Sequence, residues 1–388
     1  MPHILVNKQE LIKLPFRKDD YLFEFYATYD KKKLILLGVK YKNNSFLLEI
    51  KDKENNFLIK YEKYTRPSSV EIIKNALKYF AELNKFTYLK ENINTKNKNP
   101  FLDENILKEP TFFETFTKSD RSISIEIGFG TGRHLLHLAK TNSTKLYIGI
   151  EIHKTSIEQV IRHIKSNNIL NILIVDFDAR LFLELLKSNS ISEIFIHFPV
   201  PWDKNIMRRV VDKEFLMETT RVLKKKGLLE IRTDSENYYN YCIAMFNKVG
   251  IKNVSISKNK EIQIISKYEE RWKKMNKNIF TLRFINNTLS KEKKINFDFN
   301  FVDNFTVIDF LKLENKKIVE GTIFINFYYI FNINDSNKII KVSFGDFNRS
   351  ETMFLRYSSK KISYYPKLPI KTSTNILIHK KIIKILTS

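Results

Sequence analysis

The alternation of apolar and polar residues changes twice along the chain and divides it into three regions. In residues 1–104, short apolar runs between charged turns predict strands, and a helical period follows at 68–83 with Ser69 as its N-cap. Beyond residue 286, apolar runs again favour strands. The predicted strands of these two flanking regions are residues 22–26, 33–39, 45–50, 297–302, 318–331, 339–344 and 376–386. We therefore predict a strand-rich N-terminal appendage and a β-rich C-terminal appendage.

The middle region, residues 105–285, alternates continuous apolar runs with helical periods. This pattern is typical of a mostly parallel sheet that is covered by helices on both faces. The seven predicted strands are residues 124–127, 146–150, 172–175, 193–198, 228–231, 262–265 and 279–284. The sequence thus predicts an α/β domain over 105–285, between the appendages at 1–104 and 286–388.

Charge adds a possible partner to this picture. The 388 residues include 67 Lys and Arg against 43 Asp and Glu, which gives a formal net charge of +24. The excess is spread over all three regions and forms no basic tail. A compositional bias towards Lys, Asn and Ile accounts for it without any partner. The alternative is a nucleic-acid partner, because a positive field attracts phosphates.

Several classes of protein and site are excluded by composition. The single Cys242 rules out a disulfide framework or a multi-cysteine metal site. No uncharged apolar run reaches the ~18 residues of a membrane span, and the first residues lack the basic-then-apolar pattern of a signal peptide. His134 and His137 share a predicted helix face without a third ligand, so we predict no metal. These features together predict a cytoplasmic protein.

A glycine-rich turn joins the predicted strand at 124–127 to a helix. Gly128, Gly130 and Gly132 have the spacing G-x-G-x-G, and such a turn lets the backbone approach a ligand without obstruction by Cβ atoms. A dinucleotide-binding turn has the spacing G-x-G-x-x-G instead. Glu126 precedes the first glycine by two residues, where a carboxylate repels a diphosphate but suits a cationic ligand. S-adenosylmethionine, with an ammonium and a sulfonium group, is such a ligand.

Acidic residues follow the next two predicted strands. Glu151 comes directly after the strand at 146–150, where a carboxylate can accept hydrogen bonds from both ribose hydroxyls. Asp176 and Asp178 follow the third strand, where the adenine is expected, and Asp178, which opens the next helix, is the better candidate. Each of them taken singly is also explained as a solvated carboxylate or a helix cap. Their succession at strand ends that share one crevice favours the cofactor.

The fourth predicted strand runs into the sequence Pro-Val-Pro-Trp at 199–202, which makes a rigid apolar shelf. In methyltransferases of this architecture, this position holds the target base beside the methyl group. Trp202 and a fixed backbone suit the stacking and framing of a planar base. Lys204, Arg208 and Arg209 flank the shelf, and we predict that they contact phosphates.

Two other polar features have local explanations. Asp234 follows the fifth strand and either contacts the substrate or caps the next helix. Lys224, Lys225 and Lys226 follow a predicted helix, and since a helix C-terminus favours cations, we prefer that role to RNA contact.

Taken together, these residues resemble the bacterial tRNA (guanine-N7)-methyltransferases, the TrmB family, over residues 120–285. The motifs that carry the resemblance are E-I-G-F-G-x-G, G-I-E-I-H, F-P-x-P-W-x-K, T-D-x-E-x-Y and x-K-Y-E-x-R. It implies a Rossmann-like class I methyltransferase fold that uses S-adenosylmethionine to methylate a variable-loop guanine of tRNA (position 46). The implied contacts are Glu126, Glu151 and Asp178 with the cofactor, and Lys204, Asp234, Ser266 and Glu269 with the tRNA.

The chain departs from the family pattern at two positions. Val200 replaces the Asp of F-P-D-P-W, which is often called catalytic, and Ser266 replaces the usual Thr. Guanine N7 has a lone pair and no proton, so its attack on a methyl group needs no general base. An Asp at this position can instead orient guanine by accepting from its N–H groups, and Asp203 or Asp234 is the candidate for that role here. Methylation of another RNA atom and a non-catalytic tRNA-binding relative remain as alternatives.

Overall fold

The computed structural model of the chain divides it into two structural units. Unit 1 combines residues 1–101 with residues 297–388, and unit 2 comprises residues 102–296. The two segments predicted as separate appendages therefore belong to one unit. The described residues are 2–42, 44–67, 69–94, 105–114, 116, 121–260, 270, 274–293, 297–301, 310–346 and 349–387.

Unit 2 is built on an eight-stranded, mostly parallel sheet, which confirms the predicted fold class. Its strands are β1 Leu107–Lys108, β2 Ile123–Ile127, β3 Leu146–Glu151, β4 Ile172–Asp176, β5 Ile191–His197, β6 Leu223–Thr233, β7 Val254–Lys258 and β8 Phe280–Ile285. Their order across the sheet is β7-β8-β6-β5-β2-β3-β4-β1. Strand β8 runs antiparallel to both of its neighbours, β7 and β6. The order turns back between β2 and β5, which is the switch point where open sheets bind ligands.

The helices of unit 2 follow from the spacing of their apolar residues. They are α1 Arg133–Thr141, α2 Lys154–Ser166, α3 Ala179–Leu185, α4 Lys213–Val222 and α5 Glu236–Lys248, with short 3₁₀ turns at Pro110–Glu114 and Ile206–Arg208. In α2 the buried residues are Ile157, Val160, Ile161 and Ile164, at helical spacing. They share one apolar cluster with Ile174 of β4, so the apolar face of α2 packs against the sheet.

Two details of this sheet differ from the sequence prediction. The predicted sixth strand, residues 262–265, lies outside the described residues, and the strand that pairs with the outer side of β8 is Val254–Lys258. Strand β1 was not predicted, because its two residues give no periodicity to detect. It extends the parallel sheet beyond β4.

Unit 1 contains a twelve-stranded antiparallel sheet, with strands from both ends of the chain. These strands are His3–Asn7, Phe16–Lys18, Tyr21–Tyr29, Leu34–Tyr41, Asn44–Lys53, Asn56–Tyr61, Tyr88–Glu91, Lys317–Glu320, Ile323–Asn332, Lys338–Asp346, Ser350–Ser358 and Lys361–Tyr365. Its helices are Val70–Leu83, Phe310–Leu313 and Ser373–Thr387, and Asp30–Lys32 forms a 3₁₀ turn. The two ends meet where Asn332 pairs with Thr28. An apolar cluster that contains Phe25, Phe331 and Phe354 joins them.

Three predictions for unit 1 need correction. Residues 376–386 are not a strand but part of the helix Ser373–Thr387, whose buried Ile378, Ile382 and Leu386 recur every four residues. Residues 297–301 form no strand. The run at 318–331 is two strands, because Gly321 turns the chain with φ +60°. The helix was taken for a strand because an apolar run fits both the two-residue period of a strand and the 3.6-residue period of a helix.

Ser69 occupies the N-cap position of the helix Val70–Leu83, although its side chain makes no capping hydrogen bond. None of the helices in the described ranges is long and apolar enough to cross a membrane.

Candidate active site

Five strand ends bring the predicted site residues to one edge of the sheet in unit 2. The glycine turn follows β2, Glu151 ends β3, Asp176 ends β4, the shelf follows β5 and Asp234 follows β6. Strands β2 to β6 are mutually parallel, so their carboxyl ends face the same crevice. Ser266 and Glu269 lie outside the described residues.

The glycine turn leaves open space at two of its three glycines. Gly128 and Gly130 have φ of +70° and +53°, and a Cβ atom on either would meet no atom closer than 4.0 Å. The Gly128 N–H donates to the carbonyl oxygen of Ile150 at 2.8 Å. The Gly130 N–H donates to the Glu151 carboxylate at 3.0 Å. The turn is thus fixed against β3 while its outer side has room for a ligand.

Gly132 has a different role, since it packs against a neighbouring helix. Its φ is +74°, and a Cβ atom there would lie 2.5 Å from Cγ2 of Val160. Gly250 has a φ of +76°, and a Cβ atom there would meet no atom within 4 Å. A substitution at Gly250 therefore measures the cost of the backbone conformation without any side-chain contact. We expect Gly250→Ala to lower the free energy of unfolding by about 1–2 kcal/mol. Gly132→Ala is expected to lower it by about 1–3 kcal/mol more, because of overpacking.

Urea unfolding of the full-length variants, followed by tryptophan fluorescence, measures this difference. Equal losses at the two positions would show that the contact with Val160 does not constrain Gly132.

The Glu151 carboxylate accepts hydrogen bonds from the backbone around it. Besides Gly130, its carboxylate accepts the N–H groups of Ile152 at 2.8 Å and His153 at 3.0 Å. These bonds hold the carboxylate at the strand end, where the sequence predicts the ribose contact.

Asp178 is the N-cap of α3, the local role considered for it from sequence. Its carboxylate accepts the Arg180 N–H at 3.0 Å and the Arg180 guanidinium at 2.6 Å. Its side chain is 37% exposed. Asp176 instead forms an ion pair with Lys154, so Asp178 is the more accessible carboxylate at the end of β4.

The shelf after β5 has a strained backbone and an exposed surface. Phe198 and Trp202 have φ of +54° and +46°, which costs a non-glycine residue about 1–3 kcal/mol. Val200 is 60% exposed and Trp202 is 37% exposed. The Arg208 guanidinium lies 4.9 Å from the centroid of the Trp202 ring. Aromatic surface and positive charge therefore meet on one exposed turn.

Arg209 holds this turn from behind, which corrects its predicted role as a phosphate contact. The side chain is buried, donates to the carbonyl oxygen of Pro201 at 2.6 Å and forms an ion pair with Asp203 at 3.1 Å. Its guanidinium lies 4.5 Å from the ring centroid of Tyr241. A buried guanidinium with these partners cannot reach a phosphate. Lys204 and Arg208, by contrast, are exposed.

Two local explanations from the sequence are wrong. Asp234 does not cap α5, because the Tyr238 N–H donates to Ser235 Oγ at 3.2 Å. The Asp234 carboxylate forms an ion pair with Lys277 at 3.1 Å. Residues 224–226 do not extend α4, which ends at Val222. They open β6, at the amino end of that strand and away from the shelf.

A row of titratable groups, buried except for the half-buried Arg283, crosses the sheet. Glu126 pairs in register with Phe195, Phe195 with Glu230, and Glu230 with Arg283. The Glu126 carboxylate lies 3.0 Å from His134 Nδ1, and the His134 and His197 rings have centroids 4.5 Å apart.

The row continues through hydrogen bonds to the carboxylate of Glu230. Nε2 of His197 lies 2.9 Å from its carboxylate, and Nε of Arg283 donates to it at 2.6 Å. Burial alone would raise the pKa of Glu230, but the hydrogen bonds from His197 and Arg283 lower it from 4.5 to about 2. Burial lowers the pKa of His197 below 6.5.

Sequence reasoning missed this row apart from Glu126. The available signal was a charged residue inside an otherwise apolar strand, such as Glu230 between Leu229 and Ile231.

Metal and thiol chemistry find no support in the described residues. No group of three or more His, Cys, Asp or Glu among them is placed to hold a metal ion. Cys242 is buried, and burial raises the pKa of its thiol to about 12, as suits a core residue.

Comparison with known proteins identifies the family. Residues 120–282 match the family described as "Putative methyltransferase". A tRNA (guanine-N(7)-)-methyltransferase of Campylobacter jejuni (strain RM1221) is 39% identical, over 97% of this chain and 96% of its own length. The chain belongs to the family of the tRNA (guanine-N(7)-)-methyltransferases. The enzyme of that name from Wolinella succinogenes is 38% identical over 98% of both chains. The one from Helicobacter hepaticus is 35% identical over the full length of both chains.

The similarity of these tRNA (guanine-N(7)-)-methyltransferases to the chain extends beyond unit 2. Because they align over nearly the whole chain, unit 1 is also part of what they have in common, although the sequence motifs covered only residues 120–285. Among solved structures, an antibiotic-related methyltransferase covers 43% of this chain and 88% of its own, with a TM-score of 0.35 and 22% identity. The 16S rRNA methyltransferase KamB covers 46% and 92%, with a TM-score of 0.34 and 12% identity.

Proposed function

We propose that this chain transfers a methyl group from S-adenosylmethionine to N7 of a guanine in tRNA, the variable-loop guanine at position 46. The observation that carries the proposal is the full-length similarity to tRNA (guanine-N(7)-)-methyltransferases. The gathering of the glycine turn, the strand-end carboxylates and the aromatic shelf at one sheet edge supports it. A tRNA substrate places the reaction in the cytoplasm.

The residues at the strand ends of β2 to β4 fit S-adenosylmethionine. Gly128 and Gly130 leave the space that a Cβ atom would fill. Glu126, Glu151 and Asp178 supply carboxylates for the cationic amino-acid part, the ribose and the adenine, in that order. When bound, the cofactor supplies an activated methyl group on a sulfonium.

The shelf and its surroundings fit the RNA side of the reaction. Trp202 offers an exposed ring on which a base can stack, and Arg208 lies against the same ring. Lys204 and Arg208 are exposed cations for the tRNA backbone. Ser266 and Glu269 remain proposed substrate contacts from the sequence motif. Arg209 acts indirectly, by holding the Pro201 carbonyl and Asp203 in place.

Val200 is compatible with this chemistry. Guanine N7 presents a lone pair, so the protein has no proton to remove, and placing N7 in line with the methyl group can supply about 7–11 kcal/mol of the barrier. A general base typically contributes about 10²–10⁴-fold in rate. The shelf therefore needs to hold the base rather than to activate it.

The test is methyl transfer from labelled S-adenosylmethionine to an unmodified tRNA transcript, with the product nucleoside identified by mass spectrometry. We expect 7-methylguanosine at the variable loop. A transcript made with 7-deazaguanosine is the control, because it lacks N7 but keeps every exocyclic amine, and we expect no transfer to it.

Two other results would each replace the proposal. Methylation of the 7-deaza transcript would indicate another RNA atom. Binding of both tRNA and cofactor without any product would indicate a non-catalytic tRNA-binding relative.

A further inference from the structure

Glu126 and His134 form a buried pair beneath the glycine turn. Glu126 is the second-last residue of β2, two residues before Gly128, and His134 lies in the first turn of α1, two residues after Gly132. Their side chains are 5% and 12% exposed, and the carboxylate lies 3.0 Å from Nδ1. The glycine turn therefore folds so that its entry and exit residues bind each other.

Charged and titratable groups from three strands surround the His134 ring. Glu126 faces it from β2, His197 from β5, and Glu230 and Arg232 from β6. The ring also meets Phe195 edge-on, with centroids 5.0 Å apart. On its own helix, the neighbouring Arg133 points to Glu270 instead, at 3.0 Å.

The balance of these groups favours a charged imidazole. Burial opposes the charge on His134, but the hydrogen bond to Glu126 and the negative charges of Glu126 and Glu230 outweigh it and raise the pKa of His134 above 6.5. Burial keeps His197 neutral at pH 7 by lowering its pKa. Of the two histidines in this row, His134 is therefore the one whose protonated form the surroundings stabilise.

Its protonation changes the charge that the ligand meets. When His134 is protonated, the pair with Glu126 has no net charge. When it is neutral, Nδ1–H still holds the carboxylate in place, but the pair carries one negative charge. A cationic ligand binds more tightly to the second form.

We infer that His134 is a positioning residue, which orients Glu126 towards the cofactor and sets by its protonation how strongly that carboxylate attracts the cationic end of S-adenosylmethionine. The inference rests on the proposed function, since it takes the ligand from it. It concerns affinity for the cofactor and leaves the methyl-transfer step unchanged.

The test compares full-length wild type with His134→Asn in calorimetric binding of S-adenosylmethionine between pH 6 and pH 9. Asn keeps an N–H donor near the position of Nδ1 but carries no charge at any pH. The ligand's own α-amino group titrates at about 7.7–8.0, so the informative quantity is the ratio of the two dissociation constants at each pH.

We expect the wild type to bind more weakly than His134→Asn at pH 6, by about tenfold, and the two to converge at high pH. His134→Leu, which has neither donor nor charge, should have a KM for S-adenosylmethionine about tenfold above that of His134→Asn at every pH, with kcat little changed. His137→Asn, on the same helix, is the matched control and should follow the wild-type curve.

A ratio that stays constant with pH would overturn the inference while leaving the proposed function intact. Wild type that binds no S-adenosylmethionine at any pH would instead refute the proposed function and, with it, this role of His134.

Discussion

Asp234→Ala is expected to lower kcat/KM for tRNA by about 10²-fold and to leave the affinity for S-adenosylmethionine close to that of wild type. The carboxylate follows β6, beside the strand that leads into the shelf. It is not used to cap α5, since Ser235 does that, and it forms an ion pair with Lys277 at 3.1 Å. A charged carboxylate accepts two hydrogen bonds, which matches the ring N–H and the exocyclic amine of guanine.

Asp203 is the competing candidate, and the structure favours a supporting role for it. One of its carboxylate oxygens accepts from buried Arg209 at 3.1 Å. Asp203→Asn keeps an acceptor for that guanidinium, so we expect less than a tenfold loss of kcat/KM. Unchanged rates in both variants would mean that neither carboxylate orients the guanine.

A tRNA with inosine at the target position sharpens this test, because inosine lacks only the 2-amino group. If Asp234 accepts from that amine, inosine should lower kcat/KM of the wild type by about tenfold and should have little further effect on Asp234→Ala. An equal inosine effect in both proteins would place the contact elsewhere.

Glu230→Gln is expected to lower the free energy of unfolding of unit 2 at pH 7 by about 3 kcal/mol. The folded protein holds the pKa of this carboxyl at about 2, against 4.5 for an unperturbed group, and a difference of that size corresponds to about 3 kcal/mol. The same interaction is lost in structural terms, because glutamine keeps one acceptor oxygen but not the negative charge that Arg283 and His197 share.

The pH dependence of this stabilisation has a definite sign. Because the folded pKa is the lower one, the contribution is complete above about pH 4.5 and is lost as the pH falls towards 2. The wild type should therefore lose stability over this interval more steeply than Glu230→Gln does.

Urea unfolding at pH 7 and at pH 3, followed by tryptophan fluorescence, measures both effects in the full chain. Both tryptophans, Trp202 and Trp272, belong to unit 2, so the signal reports that unit. Glu193→Gln is the matched control, since Glu193 also pairs with a cation on this sheet but is 27% exposed. We expect it to cost under about 1 kcal/mol. Equal losses from the two variants would contradict the special role of the buried row.

The parts of the fold that could be predicted are those with a local pattern of sufficient length. Strands β2 to β6 were predictable because each contains a predominantly apolar run between helical periods. The helix Ser373–Thr387 was taken for a strand because a run such as Ile382-Ile383-Lys384-Ile385-Leu386 is apolar at both spacings, and only packing decides between them. Equally, no local signal tells that the two ends of the chain share one sheet.

By itself, the sequence determined the family, the parallel sheet and the positions of the glycine turn, the strand-end carboxylates and the shelf. These follow from residue type and spacing, since parallel strands necessarily end at the same sheet edge. Only the tertiary structure decided what each side chain does there. Arg209 points inward and binds the shelf. Ser235 caps α5, so Asp234 does not. Glu126 belongs to a row of titratable groups that ends at Arg283. Those contacts link residues far apart in the chain, and they form because a buried charge is stable only beside a partner that the folded sheet brings to it.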